Sequence, residues 1–87
     1  MDAIMDTRRK AILYRANHRG TKEADVMLGG FARAHLAELT DSDLDVFEAL
    51  LEELDVEIMD WVIGRKPVPE RHDTALFQKI LTFKPYA

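Results

Sequence analysis

His18-Arg19-Gly20-Thr21-Lys22-Glu23-Ala24-Asp25 joins two runs of apolar residues that recur at helical spacing, and its reading decides the fold. Gly20 stands where a residue of positive φ would end the first helix. Thr21 can cap a second one, with Glu23 and Asp25 placing negative charge in the first turn, where the helix macrodipole favours it. The segment is therefore a corner between two helices. That reading accounts for every residue except Arg19 and its basic neighbours.

Upstream, Thr7 or Asp6 can cap the first helix, with Ala11, Ile12, Tyr14, the Arg15 stem and Ala16 as its inward residues. Downstream, Ala24, Met27, Leu28, Phe31, Ala32, His35 and Leu36 form the stripe of the second. Gly29-Gly30 interrupts it. Each glycine costs roughly 1 kcal/mol against alanine inside a helix, so the pair predicts a close helix crossing or a weak spot.

Thr40-Asp41-Ser42-Asp43 is a variant capping box before a third helix, with core residues Leu44, Phe47, Leu50, Leu51 and Leu54. Asp55 can cap a fourth helix that buries Ile58, Trp61 and Val62 and stops at Gly64. Lys66-Pro67-Val68-Pro69 is extended, because each proline pushes its predecessor out of the helical region. A last helix, from Asp73 or Thr74 to Thr82, buries Leu76, Phe77, Ile80 and Leu81. No stretch alternates long enough to be a strand. The expected architecture is all-α, a small bundle of about five short helices forming one domain over residues 1–87, with residues 1–6 and 84–87 as irregular tails.

The 87 residues are 47% apolar and 32% charged, the mix of a folded domain, and include no cysteine. Disulfides, thiolate metal sites and cysteine nucleophiles are excluded. No apolar stretch approaches the ~20 residues that span a bilayer, so no membrane insertion is expected. The acidic start, Met1-Asp2-Ala3-Ile4-Met5-Asp6, lacks the apolar centre of a signal peptide, and the chain is expected to be cytoplasmic. Charge is segregated: +2 over residues 1–25, −9 over 26–63 and +3 over 64–87. The acidic middle repels phosphate backbones, although Arg8-Arg9-Lys10, Arg15 and Arg19 leave a local anion-facing surface possible.

No catalytic constellation emerges. His35 and Glu38 are i and i+3, but a di-iron bundle needs Glu-x-x-His twice plus further glutamates, and this chain has the reverse order once and no second copy. A surface hydrogen bond or partial burial fits them better. His18 adjoins Arg19, and His72 lies in a loop between Arg71 and Asp73. Ser42, the one serine, belongs to a helix start. Gly29-Gly30 is followed by no Gly-Lys-Ser/Thr, so no phosphate cradle is expected. The acids Glu48, Glu52, Glu53, Asp55, Glu57 and Asp60 lack the alternation of a calcium loop and read as a solvated face. Catalytic, metal-binding and cofactor-binding residues are all expected to be absent.

The Arg19-Gly20-x-x-Glu23 core of the corner resembles the Arg-Gly-x-x-Glu signature of the FAD assembly factors of succinate dehydrogenase. The basic helix before it fits as well. So do Glu23-Ala24-Asp25-Val26-Met27-Leu28-Gly29-Gly30-Phe31, Phe47-Glu48-x-Leu50-Leu51-Glu52, and Asp55 followed by Trp61 and Gly64. The likeness runs in order over about residues 7–83, with Gly30 departing from the larger residue expected before Phe31. It implies a small helical chaperone, not an enzyme. Its partner would be the flavoprotein subunit of succinate dehydrogenase, and in some bacteria that of fumarate reductase. FAD would become covalently attached to a histidine of that client, and none would be held stably by this chain.

The same resemblance makes Arg19, Gly20 and Glu23 the centre of a partner-binding surface, with Arg15, His18 and Asp25 as neighbours. Arg19 would offer its donor fork to the client. Glu23 would pair with Arg19 or accept hydrogen bonds from the client. Trp61 is a core residue first and an interface anchor second. The alternative function is a small helical nucleic-acid-binding regulator built on the corner and Arg8-Arg9-Lys10.

Overall fold

The computed structural model describes residues 6–83 and folds them into five helices. These are α1 (Thr7–Asn17), α2 (residues 22–35), α3 (Asp41–Leu51), α4 (Asp55–Val62) and α5 (Ala75–Thr82). Single 3-10 turns at Leu36–Glu38 and Glu70–His72 complete the helical structure, and no strand occurs among the described residues. Of the tails expected at 1–6 and 84–87, residues 1–5 and 84–87 lie outside the described residues, and Asp6 is not tail but the cap of α1.

Helix starts follow the local chemistry. The Asp6 carboxylate accepts from Arg9 N at 2.9 Å, Thr21 Oγ1 from Ala24 N at 3.3 Å, and Thr74 Oγ1 from Phe77 N at 3.1 Å. At α3 the capping box is complete: Asp43 N donates to Thr40 Oγ1 and Thr40 N donates to Asp43 Oδ2, both at 3.1 Å. α4 differs from expectation. Leu54 occupies the cap position and Asp55 is the first helical residue, because its carboxylate is engaged elsewhere. Gly64, at φ +82°, ends α4, and Arg65 N and Lys66 N close back on Asp60 O at 2.8 and 3.2 Å.

One core runs through the bundle. Ile12 and Ala16 from α1 meet Leu28, Phe31 and Ala32 from α2, then Leu44, Phe47, Leu50 and Leu51 from α3. Ile58 and Trp61 of α4 and Leu76, Phe77 and Ile80 of α5 close it. Phe31 is central, set edge-on to Phe47 at 5.9 Å and to Phe83 at 5.8 Å. Each fully buried Leu, Ile or Phe contributes roughly 1.5–3 kcal/mol of transfer free energy. Three residues assigned to the core face outward instead: Ala11, Tyr14 and Leu54. α1 buries a strip only as wide as Ile12 and Ala16, and Tyr14 lies over His18 with ring centroids 3.9 Å apart.

The segregated charge resolves into pairing between α1 and α3. Arg8 reaches Asp45 and, at 2.7 Å, Glu48, while Arg15 reaches Glu52 at 2.5 Å. Arg9 turns the other way, to Asp6 and to the carbonyls of Leu36 and Leu39. The arginines of the basic first helix are thus neutralised within the chain, and nothing in the structure supports the nucleic-acid alternative.

The glycine pair marks a close crossing. α2 is not uniform: Lys22–Ala24 and Gly30–His35 are α-helical, but Asp25–Gly29 forms a π-turn. That wide turn brings Gly29 onto the buried face beside Leu28. A Cβ at Gly29 would lie 2.9 Å from Asn17 Cγ and 3.3 Å from Ala16 O. The glycine therefore lets the backbones of α1 and α2 touch where the two helices cross.

Candidate functional site

The corner between α1 and α2 is built around Arg19. Its backbone N–H donates to Asp25 Oδ1 at 2.6 Å, which fixes the bend against the first turns of α2. Its guanidinium points inward, to the junction of α3 and α4. Nε donates to Asp55 Oδ1 at 2.7 Å, and the two terminal nitrogens donate to Leu51 O and Glu53 O, each at 2.9 Å. Leu51 ends α3, so its carbonyl has no partner inside the helix, and a cation there also meets the negative end of the helix dipole. One planar side chain thereby holds the end of α3, the α3–α4 loop and the start of α4. The donor fork that the sequence offers to a client is used inside the chain.

Gly20 follows at φ +104°, as the corner reading expects, but two residues beyond the His18 cap of α1. A Cβ there would sit 3.7 Å from Asp55 Oδ2, an ordinary contact. The requirement for glycine is therefore conformational and not steric.

The remaining expected residues surround this brace. Arg15 pairs with Glu52, and His18 Nδ1 lies 2.7 Å from Tyr14 O beneath the Tyr14 ring. Asp25 is occupied by Arg19 N. Glu23 is exposed, does not pair with Arg19, and has no hydrogen bond or ion pair among the described residues. It stands on the rim of an open depression of about 340 Å³ lined by Thr21, Glu23, Asp55, Val56, Met59, Ile63 and Arg65.

The α3–α4 loop is held from a second side by residues that sequence reasoning left in a loop. His72 is buried in the 3-10 turn Glu70–His72, beside Trp61 at 5.4 Å. Its Nε2 lies 2.6 Å from Glu53 Oε2, and Arg71 Nε donates to the same oxygen at 3.0 Å. The hydrogen bond to His72, followed by that to Arg71, holds the Glu53 carboxyl below its ordinary range. Trp61 is a core residue. His35 Nδ1 meets Glu38 Oε2 at 3.0 Å, the surface contact expected of that pair.

A profile of the family described as "Flavinator of succinate dehydrogenase" matches residues 10–84, a span that includes the whole corner and its Asp55 anchor. The chain belongs to this family. It is similar to the FAD assembly factor SdhE of Acetobacter pasteurianus, 40% identical over 74 residues, which cover 85% of this chain and 68% of the relative. It is also similar to the mitochondrial succinate dehydrogenase assembly factor 2 of Candida glabrata, 39% identical over 83 residues, covering 91% and 54%. The corresponding mitochondrial factor of Dictyostelium discoideum is 35% identical over 72 residues, covering 83% and 51%. The chain thus spans about two thirds of the bacterial relative and about half of the mitochondrial ones.

Within this family member, sequence reasoning missed two features of the site. The first is that Asp55 anchors Arg19, a pairing across 36 positions that no local pattern announces. The second is the apolar wall of the depression. Its signal was present: Val56, Met59 and Ile63 recur at i, i+3 and i+7, a second stripe along α4 and its C-terminal cap beside the buried one.

Proposed function

We propose that this chain is an assembly factor that binds the flavoprotein subunit of succinate dehydrogenase and promotes covalent attachment of FAD to that client. The match of residues 10–84 to the flavinator family is the observation that carries this reading. The docking surface is centred on the corner of Arg19, Gly20 and Glu23, flanked by Arg15, His18 and Asp25. In it Arg19 is the brace, Gly20 allows the backbone to turn tightly, and Glu23 is the group presented outward. The fumarate reductase flavoprotein is a second client of the same chemical class.

The chain acts by positioning. Holding a client in one reactive geometry lowers a barrier without contributing a reacting group. Each histidine here already has a structural contact: His18 with Tyr14, His35 with Glu38, and His72 with Glu53. FAD belongs to the client in this scheme. The depression beside the corner is lined by Glu23 and Asp55; Asp55 is paired with Arg19, and the Glu23 carboxylate, unpaired among the described residues, opposes a diphosphate and suits a cation.

Reconstitution tests the proposal. The flavoprotein subunit is produced without covalent flavin and incubated with FAD, with and without this chain, and bound flavin is read by fluorescence of the denatured protein. The chain should accelerate covalent attachment. Equal rates with and without it would overturn the reading.

A further inference from the structure

We propose that the depression between the corner and α4 seats an apolar side chain of the client flavoprotein, with a neighbouring cationic side chain of the same client segment set against Glu23. The inference rests on the function proposed above and adds the chemistry of the client segment that is recognised.

Val56 on α4 and Ile63 at its C-terminal cap are 61% and 56% exposed, while the other face of that helix is built into the core through Ile58 and Trp61. With Met59 between them they form a continuous apolar wall. Exposed apolar surface of this kind, rimmed by polar groups, marks an interaction site. The rim is electrically one-sided. The Arg65 guanidinium is engaged by Asp60 at 2.8 Å, and Arg19 by Asp55 at 2.7 Å, while Glu23 has no such partner among the described residues. An uncompensated carboxylate beside an apolar wall is complemented by an apolar group next to a cation.

The site is also preformed. Its two walls, the start of α2 and the face of α4, are tied together by the Arg19–Asp55 pair, so seating a side chain requires little reordering. The described chain enters and leaves at the other end of α2. Arg9, next to the Asp6 cap, bonds to Leu36 O and Leu39 O, and Phe83 packs on Phe31 and His35.

The test is a binding titration of the FAD-loaded flavoprotein subunit with the full chain, at low and high salt, alongside sedimentation of the chain alone. Val56→Asp and Ile63→Ser should each weaken binding tenfold or more. Glu23→Gln should weaken it and flatten its salt dependence. Lys79→Ala on α5 should bind as the unaltered chain does. All four positions are exposed, so the helical circular dichroism should be unchanged and the thermal midpoint should move little, Glu23→Gln losing only the macrodipole contribution of a first-turn carboxylate. If Val56→Asp and Ile63→Ser bind the client as tightly as the unaltered chain, the depression is not a contact, although the proposed function survives. If those variants instead dissociate a dimer and leave client binding intact, the occupant is a second copy and this inference falls. If the unaltered chain does not bind the flavoprotein, the functional reading fails first and this one with it.

Discussion

Arg19 Nε lies 2.7 Å from Asp55 Oδ1, and the two side chains are only 10% and 15% exposed. The pair joins positions 36 apart, and the other two nitrogens of the same guanidinium close the carbonyls of Leu51 and Glu53. Arg19 is thus first a structural brace. It orients the surface that Gly20 and Glu23 present.

Removing the brace should therefore cost stability as well as binding. Arg19→Ala strands a partly buried carboxylate and two carbonyls, which on general grounds amounts to about 2–4 kcal/mol. Arg19→Lys should recover less than half of that, because one ammonium cannot reproduce a planar fork to three acceptors. Urea unfolding followed by circular dichroism measures both. An Arg19→Ala chain as stable as the unaltered one would show that the brace is not structural.

Arg15 makes the contrasting case. Its pair with Glu52 joins side chains that are 38% and 73% exposed. Solvent screens such a pair, so Arg15→Ala should change stability by less than about 1 kcal/mol. The same urea series checks this, and any effect of Arg15→Ala on client binding then reports contact and not folding.

The difference between these two arginines shows what was legible in the sequence. Caps, stripes and breaks are local patterns, so Thr21, the Thr40–Asp43 box, Thr74 and Gly64 could be assigned from their neighbours alone. Charge segregation was visible too, but which arginine meets which acid depends on how helices pack. Arg19 looked like a surface donor because Asp55, a plausible helix cap by itself, lies far away in sequence. Periodicity puts Tyr14 and Leu54 inside, yet α1 buries only Ile12 and Ala16, and α3 ends at Leu51, so Leu54 lies past it at the cap position of α4. The π-turn at Asp25–Gly29 has no sequence pattern. Only the glycine pair hinted at the crossing it serves.

Acid should loosen the α3–α4 loop. Hydrogen bonds from His72 and then Arg71 hold Glu53 below the ordinary glutamate value of 4.5. A group lowered in this way contributes stability that is fully present above its ordinary value and is lost as pH falls through the lowered one. Glu48, lowered chiefly by its hydrogen bond to Arg8, acts in the same direction. Thermal midpoints should hold as pH falls towards 4.5 and decline below it. Glu53→Gln should lower the midpoint at neutral pH and make the acid decline shallower. An unchanged acid limb in that variant would remove Glu53 from the account.

The two glycines should fail for different reasons. Gly20→Ala meets nothing closer than Asp55 Oδ2 at 3.7 Å, so its cost is that of a left-handed backbone, about 1–2 kcal/mol. Gly20→Asn should cost less, because asparagine tolerates that conformation. Gly29→Ala has ordinary helical angles, and its Cβ meets the Asn17 side chain and Ala16 O, an overpacking worth about 1–3 kcal/mol. Trimming the obstacle should help only there. Asn17→Ala removes the amide that donates to Leu13 O and accepts from Arg33, so it is destabilising alone. Combined with Gly29→Ala it opens room for the new methyl, and the double variant should be more stable than the sum of the single losses. The cycle with Gly20→Ala and Asn17→Ala should be additive, and coupling of equal size in both cycles would overturn the distinction.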